Sequence, residues 1–302
     1  MKISIVGGAG TLGAAIAFRL CQNNQVDELC LIDVNESLLM NHLMDLQTAY
    51  PAQTIYKGNF QDLTGSQLIL ITAGVPNRND IESRNIFLQG NISLFQSFGT
   101  HIKKYAPDAF IMTVSNPVDA LNYYLYRNFD FRKEQLLGYT VNDSLRFERT
   151  IRSVMKISED AHLFCPVIGE HGSTQVPLFS QTRLNGNPLA LKAEDEVAIK
   201  EKLNRWFIEF NRLNINRTTG WATAAGIGRI IDGIVTNGEV DTIGSAIVEG
   251  EYGIRDISIG VPVTVNKDGI VSIHEWQLAK TELADYQHSA ETIKQLIKSF
   301  IR

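Results

Sequence analysis

Short apolar runs alternate with longer amphipathic stretches through the first half of the chain. The apolar runs predict strands at 2–6, 29–33, 68–72, 110–114 and 135–139. Apolar positions at helical spacing predict helices at 11–23, 36–49, 84–105, 118–127 and 143–155. Because nearly continuous apolar strands suit burial on both faces, this alternation predicts a parallel sheet with helices on both sides.

The pattern changes in the second half of the chain. The pair Asn185-Gly186 and a run at 260–273, centred on Asp268-Gly269, predict antiparallel hairpins. Long amphipathic helices are predicted at 194–213 and 279–301. This half is therefore predicted to be an α+β domain with antiparallel ribbons.

Composition narrows the class of protein. With 28 basic against 33 acidic residues and a net charge of −5, the chain lacks the basic surface that a nucleic-acid partner requires. No apolar run approaches the roughly 18 residues of a membrane span, so no membrane partner is expected. Cys21, Cys30 and Cys165 are too scattered for a disulfide framework. Reduced cysteines, and no signal sequence before the first strand, predict a cytoplasmic protein.

A glycine-rich segment, GGAGTLG, joins the first predicted strand to the first predicted helix. Two dinucleotide-binding patterns, GxGxxG and GxxGxxG, fit its glycines Gly7, Gly8, Gly10 and Gly13. Such a loop lets the backbone approach a pyrophosphate at a helix N-terminus. Asp33 ends the next predicted strand, where an acid accepts from ribose hydroxyls and repels a 2′-phosphate, which favours NAD over NADP. The alternative is a glycine-rich helix start with an incidental aspartate.

These features together predict an α/β fold, with a Rossmann-type doubly wound parallel sheet over 1–140 and an α+β substrate-binding domain over 141–302. Ligands of such sheets bind beyond the carboxyl ends of the strands. SNPVD, at 115–119, follows one of these ends, so Asn116 is a candidate contact for the nicotinamide ribose or a substrate oxygen. A plain helix N-terminus, capped by Ser115 or Asn116, is the alternative.

Charged residues follow other predicted strands. VNDSLRFERT, at 141–150, opens a helix with Asp143 and Arg146 on one face, although a surface ion pair is the alternative. A long polar loop after the strand at 68–72 carries Arg78 and Arg84. Loops in that place are often lids over the site, and a solvated loop with no special role is the alternative.

His171 lies between glycines in IGEHGSTQVPLFS, directly after an acid. Hydride transfer to a 2-oxo acid needs a proton donor of near-neutral pKa, a carboxylate that favours the charged donor, and a guanidinium for the substrate carboxylate. The residues that supply these chemistries are His171, Asp143, Arg146 and Arg84. Each of these residues is a weak signal alone, and for His171 a turn residue is the alternative. Together behind a dinucleotide fold, the set predicts an NAD-dependent oxidoreductase.

The chain resembles the L-lactate/malate dehydrogenase family over nearly its whole length. The matching segments are GGAGTLG, Asp33, TAG (72–74), ESR (82–84), SNPVD, DSLRF (143–147), GEHG (169–172) and the helix that starts near Thr219. The resemblance implies that His171 is the acid/base with Asp143 as its partner, and that Arg146 binds the substrate carboxylate. It also implies that Arg84, on a closing loop, polarises the carbonyl, while Asn116 positions carbonyl and nicotinamide.

The remaining contacts are implied by the same resemblance. The substrate-binding residues would be Arg146, Asn116, Arg78 and Thr219. The NAD-binding residues would be Gly7, Gly8, Gly10, Thr11, Leu12, Gly13, Asp33, Thr72, Ala73, Gly74, Val114 and Asn116. No metal is implied, and the expected assembly is a homodimer or homotetramer that acts on a small 2-oxo or 2-hydroxy acid.

Some positions depart from the family pattern. Asn142 stands where a leucine usually precedes the catalytic aspartate, and Ser173 stands where aspartate commonly follows GEHG. Lactate enzymes that fructose bisphosphate activates carry an arginine where this chain has Glu148, and a histidine near the place of Phe164. Activation by fructose bisphosphate is therefore not expected.

Substrate choice in this family depends on the loop, where glutamine suits lactate and arginine pairs with the second carboxylate of malate. This loop is one residue longer than the common form, so the selector is Arg78 when counted back from Arg84, and Asn77 when counted forward from Gly74. Marks that resemble the lactate branch are Glu82, SNPVD, PLFS (177–180) and Thr219. Pyruvate and lactate are the expected pair. Malate dehydrogenase, or an enzyme for larger aliphatic 2-hydroxy acids, is the alternative.

Two other classes of protein share the nucleotide-binding fold. NAD-dependent glycosidases need a cysteine–histidine metal site, whereas Cys165 is expected on a strand and His171 is flanked by glycines. A dinucleotide-binding scaffold needs the glycine loop but not the charged residues. Absorbance at the NADH band, measured with a panel of 2-oxo acids, separates these classes.

Overall fold

The computed structural model describes residues 1–75, 84–213, 215, 219–298 and 300, and the side chains in these ranges except those of 84–87, 207 and 211. Asn77, Arg78, Glu82 and the side chain of Arg84 lie outside the described residues. The predictions made for them are therefore untested by the structure.

The N-terminal strands form a parallel sheet. Their bounds are β1 (Lys2–Val6), β2 (Glu28–Ile32), β3 (Thr54–Lys57), β4 (Leu68–Ile71), β5 (Phe110–Thr113) and β6 (Leu136–Tyr139). They lie in the order β3–β2–β1–β4–β5–β6, with parallel pairing throughout. The pattern does not predict the edge strand β3, because Ile55 is its only buried residue. The strand order reverses between β1 and β4, which is the place where doubly wound sheets bind ligands.

Helices alternate with these strands as predicted. Their bounds are α1 (Thr11–Cys21), α2 (Glu36–Ala49), α3 (Arg84–Tyr105), α4 (Val118–Phe129) and α5 (Val141–Met155). Asn35 begins α2, because its side chain accepts a hydrogen bond from the Leu38 N–H at 3.2 Å. All residues of β4 and β5 are buried, so both faces of the sheet are covered.

The second half contains short antiparallel strands, a long ribbon and further helices. The strands are β7 (Leu163–Phe164), β8 (Val167–Gly169), β9 (Gln175–Pro177), β10 (Arg183–Leu184), β11 (Asn187–Pro188), β12 (Glu239–Glu249), β13 (Arg255–Asn266) and β14 (Gly269–Ile273). The helices are α6 (Ala193–Arg212), α7 (Gly220–Asn237) and α8 (Lys280–Ile297). Short 3₁₀ turns lie at Phe60–Leu63, Lys133–Gln135, Phe179–Gln181 and Glu251–Gly253. The predicted fold class is confirmed.

One continuous sheet joins the two halves of the chain. β12 pairs with β6 in antiparallel fashion, with Gly244 opposite Tyr139 and Ser245 opposite Gly138. The sheet then continues from β12 through β13 and β8 to β9. A division into domains at 140 and 141 stays a prediction, and backbone hydrogen bonds cross it.

Of the two turns predicted from the sequence, the structure confirms one and corrects the other. Asn185 and Gly186 have φ of 50° and 82° between paired Leu184 and Asn187, which confirms a two-residue turn of the primed type. In the larger hairpin, Asn266 pairs with Gly269, so the turn consists of residues 267 and 268, and the predicted centre at Asp268-Gly269 is wrong by one residue. Gly269 is required for another reason, since a Cβ there would overlap the carbonyl of Glu134.

Cys21, Cys30 and Cys165 are buried, and none of the three forms a disulfide. Cys165 lies between β7 and β8, so its predicted place on a strand is wrong. Among the described residues, no helix combines the length and the hydropathy needed to cross a membrane.

Candidate active site

The segment between β1 and α1 folds as a tight glycine turn. Gly7 has φ of +99°, which other residues rarely adopt, and its carbonyl accepts a hydrogen bond from the Gly10 N–H at 3.2 Å. A Cβ at Gly13 would overlap the same carbonyl. Close backbone packing therefore requires glycine at these positions.

This turn leaves the N-terminus of α1 open. Gly10 is the N-cap residue and is exposed, and no side chain caps the helix there. A Cβ on Gly10 would come no closer than 3.4 Å to any described atom, so the space beside it is free. The N–H groups of Thr11, Leu12 and Gly13 belong to the first turn, where a helix offers them no internal acceptor. This arrangement fits the diphosphate of a dinucleotide.

Asp33 lies one residue beyond β2, next to the glycine turn. Its Oδ2 accepts a hydrogen bond from the Ala9 N–H at 2.9 Å, and its Oδ1 accepts one from the Asn35 N–H at 2.9 Å. Both bonds fix the half-buried carboxylate beside the glycine turn. Each oxygen keeps a lone pair for a ribose hydroxyl.

The ends of β4 and β5 are tied to the same edge of the sheet. The Thr72 hydroxyl lies 3.1 Å from the carbonyl oxygens of both Val6 and Gly7. The Ser115 hydroxyl donates to the Ala73 carbonyl at 2.7 Å, and the N–H of buried Val114 donates to the Ile71 carbonyl at 2.9 Å. The predicted nucleotide contacts on these strands therefore lie beside the glycine turn.

Asn91, on α3, is a positioning residue that the sequence pattern does not reveal. It is buried, its Oδ1 accepts from the Val75 N–H at 2.7 Å, and its Nδ2 donates to the Asn116 carbonyl at 2.8 Å. Asn91 thus connects the exit of β4 to the segment after β5. The only signal in the sequence is a lone amide among the apolar positions of α3. Asn116 is exposed at this edge and precedes a cis bond to Pro117.

The first turn of α5 brings the predicted charged residues together with His171. The Nδ1 atom of His171 lies 2.6 Å from Asp143 Oδ2, and Arg146 Nη1 donates to Asp143 Oδ1 at 3.0 Å. The guanidinium carbon of Arg146 lies 4.3 Å from the centre of the Trp206 ring, on α6. Asp143 is buried, whereas the His171 ring keeps 17% of its side-chain surface exposed. Asp143 and Arg146 are therefore more than a surface ion pair, and His171 is more than an isolated turn residue.

Electrostatics favour the charged form of His171. Burial lowers the pKa of the imidazole, but the charge of Asp143 and its hydrogen bond outweigh that effect, and the pKa is raised above 6.5. Because Nδ1 is committed to Asp143, Nε2 is the nitrogen left to exchange a proton with a ligand.

A second carboxylate, on Asp119 of α4, holds the backbone of His171. The His171 N–H donates to Asp119 Oδ2 at 2.8 Å, and the Ser245 hydroxyl donates to Oδ1 at 2.5 Å. Burial raises the pKa of Asp119 to about 7. Asp119 lies within SNPVD, yet its role is not visible in the sequence because its partners are 52 and 126 residues away.

Glu170 fixes the turn that carries His171. Its Oε2 accepts hydrogen bonds from the N–H and the hydroxyl of Thr174, at 3.0 and 2.6 Å, and its own N–H donates to Ser289 Oγ at 2.6 Å. A Cβ at Gly172 would lie 2.7 Å from the Glu170 carboxyl carbon. Glu170 and Gly172 therefore determine the backbone conformation of the turn that carries His171.

The two candidate positions for phosphate activation are occupied by other contacts. Glu148 Oε1 accepts from Nε and Nη2 of Arg152 at 3.0 and 2.8 Å, and Phe164 packs edge-on against Trp276. Within the described ranges, no three His, Cys, Asp or Glu side chains form a cluster that could hold a metal ion.

Comparison with known proteins agrees with the geometry. Residues 1–138 match the NAD binding domain of lactate/malate dehydrogenase, and residues 140–302 match the alpha/beta C-terminal domain of the same enzymes. The chain belongs to the lactate/malate dehydrogenase family. It is therefore an NAD-dependent dehydrogenase of the lactate/malate type, and the non-enzymatic and glycosidase alternatives are excluded.

Similar members of this family carry both activities in their names. A malate dehydrogenase of Halobacterium salinarum is 33% identical, over 97% of each chain. An L-lactate dehydrogenase of Acetivibrio thermocellus is 30% identical, over 99% of this chain and 96% of its own. The structure of the malate dehydrogenase from Aeropyrum pernix superposes with a TM-score of 0.89 at 28% identity, covering 99% of this chain and 98% of that one. Family membership therefore does not choose between lactate and malate.

Proposed function

We propose that this dehydrogenase reversibly reduces pyruvate with NADH to L-lactate. The observation that carries the proposal is that the buried carboxylate of Asp143 binds His171 through one oxygen and Arg146 through the other, which brings a proton donor and a guanidinium into one cluster. A 2-oxo acid presents a carbonyl oxygen and a carboxylate to these two groups.

The proton and the negative charge are handled by residues of this chain. NADH, when bound, supplies the hydride that adds to C2 of the 2-oxo acid. The carbonyl π electrons move to oxygen, and His171 Nε2 donates a proton there, so the imidazole leaves the reaction neutral and regains a proton from solvent. Asp143 stabilises the imidazolium before transfer. Arg146, held against the face of Trp206, pairs with the substrate carboxylate.

Pyruvate is the first candidate substrate, because several segments of the sequence resemble lactate dehydrogenases. Oxaloacetate is the second candidate. The lactate marks are Glu82, SNPVD, PLFS (177–180) and Thr219. The malate dehydrogenase of Halobacterium salinarum and a loop arginine, Arg78, support the second candidate. Rates of NADH oxidation with pyruvate, 2-oxobutyrate and oxaloacetate decide between them. Activity with none of these acids would reject the proposal.

Arg78→Gln tests the loop selector. If Arg78 pairs with the second carboxylate of oxaloacetate, the variant should lose about tenfold to a hundredfold in kcat/KM for oxaloacetate, because a charge-assisted hydrogen bond contributes roughly 1.5–3 kcal/mol. The value for pyruvate should not fall. Asn77→Gln is the matched control one position away. An unchanged ratio of the two values in Arg78→Gln transfers the selector role to Asn77.

Asp33→Ser tests cofactor choice. The wild type should strongly prefer NADH to NADPH, because a carboxylate at this position repels a 2′-phosphate. The variant should narrow that preference by about tenfold, which corresponds to roughly 1.4 kcal/mol of relieved repulsion. Steady-state KM values for both nucleotides measure it. Equal use of NADPH by the wild type would show that Asp33 does not contact the ribose.

We also propose that the active form is a homodimer or homotetramer. Large apolar side chains are exposed on α1 and α2, namely Phe18, Leu38, Met40 and Met44. Light scattering at micromolar concentration tests this, and a mass equal to the 33.7 kDa chain contradicts it. Fructose bisphosphate, added to the same samples, should change neither the mass nor the activity.

A further inference from the structure

A buried polar network joins the start of α5 to the start of α7, at the position where a leucine is expected. The Tyr139 hydroxyl donates to Asn142 Oδ1 at 3.1 Å. Asn142 Nδ2 donates to the hydroxyls of Thr223 at 2.7 Å and Thr219 at 3.3 Å. The network fits into a notch on α7, since a Cβ at Gly226 would overlap the Tyr139 hydroxyl.

The direction of each hydrogen bond in this network is determined by chemistry. The Thr223 hydroxyl donates its single hydrogen to the Thr219 carbonyl at 2.7 Å. Toward Asn142 it can therefore only accept, which requires the amide nitrogen to face the threonines and the amide oxygen to face Tyr139. The second hydrogen of that nitrogen points to the Thr219 hydroxyl oxygen.

The Thr219 hydroxyl therefore accepts from Asn142 and keeps its own hydrogen. Among the described residues the Thr219 hydroxyl donates no hydrogen bond, and it serves only as the acceptor from Asn142. Thr219 is half-buried, and its neighbour Gly220 faces Thr11, since a Cβ there would lie 3.5 Å from the Thr11 carbonyl. Asn142 directly precedes Asp143 in α5. Thr219 is therefore hydrogen-bonded to the residue that precedes Asp143, and it is the chain neighbour of a glycine that packs against the first residue of α1.

We propose that Asn142 is a positioning residue that keeps the Thr219 hydroxyl as a donor to an oxygen of the bound 2-oxo acid. The proposal rests on the function proposed above. Every oxygen of an ionised 2-oxo acid only accepts hydrogen bonds, so a hydroxyl that accepts from Asn142 and can donate its own hydrogen complements it. A leucine at 142 would leave that hydroxyl free to rotate.

A double-mutant cycle tests the proposal, with Asn142→Leu, Thr219→Val and the double variant assayed on pyruvate and oxaloacetate with saturating NADH. Each single change should raise KM about tenfold, the effect of one lost hydrogen bond to a charged group, with a smaller change in kcat. The double variant should be no worse than either single variant, because Asn142 acts through Thr219. A rise for both acids assigns the acceptor to the oxygens they share, and a rise for oxaloacetate alone assigns it to the second carboxylate.

Two controls separate this role from a structural one. Tyr139→Phe removes the donor to Asn142 Oδ1 but leaves both bonds from Nδ2, so it should lower the melting temperature without raising KM. Thr219→Ser retains the hydroxyl and should keep a near-normal KM. Its comparison with Thr219→Val therefore tests the Thr219 hydroxyl even if Asn142→Leu does not fold. Unchanged KM in Thr219→Val, or additive effects in the cycle, would overturn the proposal while leaving the dehydrogenase function intact. A wild type inactive with every 2-oxo acid would overturn both.

Discussion

His171→Asn should lower kcat for reduction of the best 2-oxo acid by about 10²–10⁴, the usual effect of removing a positioned acid/base. Asparagine has a similar shape near the backbone, but it has no ring nitrogen that could carry the proton which His171 holds at Nε2. The His171 N–H that bonds to Asp119 is retained by the variant backbone, so the turn should keep its position. Steady-state rates with saturating substrate and NADH measure the change.

The pH profile of reduction gives a more specific test of the same residue. His171 must be protonated to donate, and its pKa is raised, so the rate should fall as pH rises through one basic limb. That limb should be absent from the residual activity of His171→Asn. NADH affinity, measured by fluorescence, should be unchanged because the glycine turn and Asp33 are untouched. A near-wild-type kcat in His171→Asn would show that His171 is only a turn residue.

Stability should depend on pH through the same pair. Since the folded-state pKa of His171 lies above the unfolded value of 6.5, the charged pair with Asp143 stabilises the fold fully below that pH. The contribution is lost as pH rises through the folded-state pKa. The wild type and His171→Asn should therefore differ most in melting temperature at mildly acid pH.

The chemistry of the site was accessible from the sequence because its main residues lie on local motifs. Asp143 and Arg146 lie on one helical face by spacing alone, and the glycine turn follows a strand. Their approach to His171 needed either the fold or a resemblance, since no local rule connects residues 28 positions apart.

The rest of the site depends on tertiary contacts that no periodicity encodes. Asn91 and Asp119 act through backbone groups of distant segments, and a polar residue on the buried face of an amphipathic helix gives no sign of its partner. The continuous sheet was equally invisible, because β12 has Gly244 at its centre and charged residues at its ends. Gly244 is required because a Cβ there would overlap the side chain of Leu137 on β6.

Asp143→Asn is expected to lower kcat for reduction by about 10²–10⁴ while leaving Arg146 and His171 in place. The amide oxygen can still accept from Nδ1, so the ring orientation is partly kept, but the charge that stabilises imidazolium is gone. Arg146, whose charge lowers the pKa of His171, is then unopposed. The basic limb of the pH profile should move to lower pH, in addition to the loss of rate. An unchanged limb would mean that Asp143 does not control protonation of His171.

Asp119→Asn is the matched control, because it removes a carboxylate from the backbone side of the same histidine. Its amide oxygen can still accept from the His171 N–H, and the charge it removes raises the pKa of His171 less than Asp143 does, so the limb should move only slightly.

The effect of Asp119 on stability should have the opposite sign to that of an ordinary ion-paired aspartate. The carboxyl has a pKa of 3.8 when unfolded and about 7 when folded, so the folded chain holds an extra proton between these values, and wild-type stability falls as pH rises through that window. Asp119→Asn removes this slope and should melt higher than the wild type at pH 8, by an amount that shrinks toward pH 4. If Asp119→Asn instead loses as much kcat as Asp143→Asn, the two carboxylates act as one unit, and the assignment of the proton-controlling role to Asp143 alone is wrong.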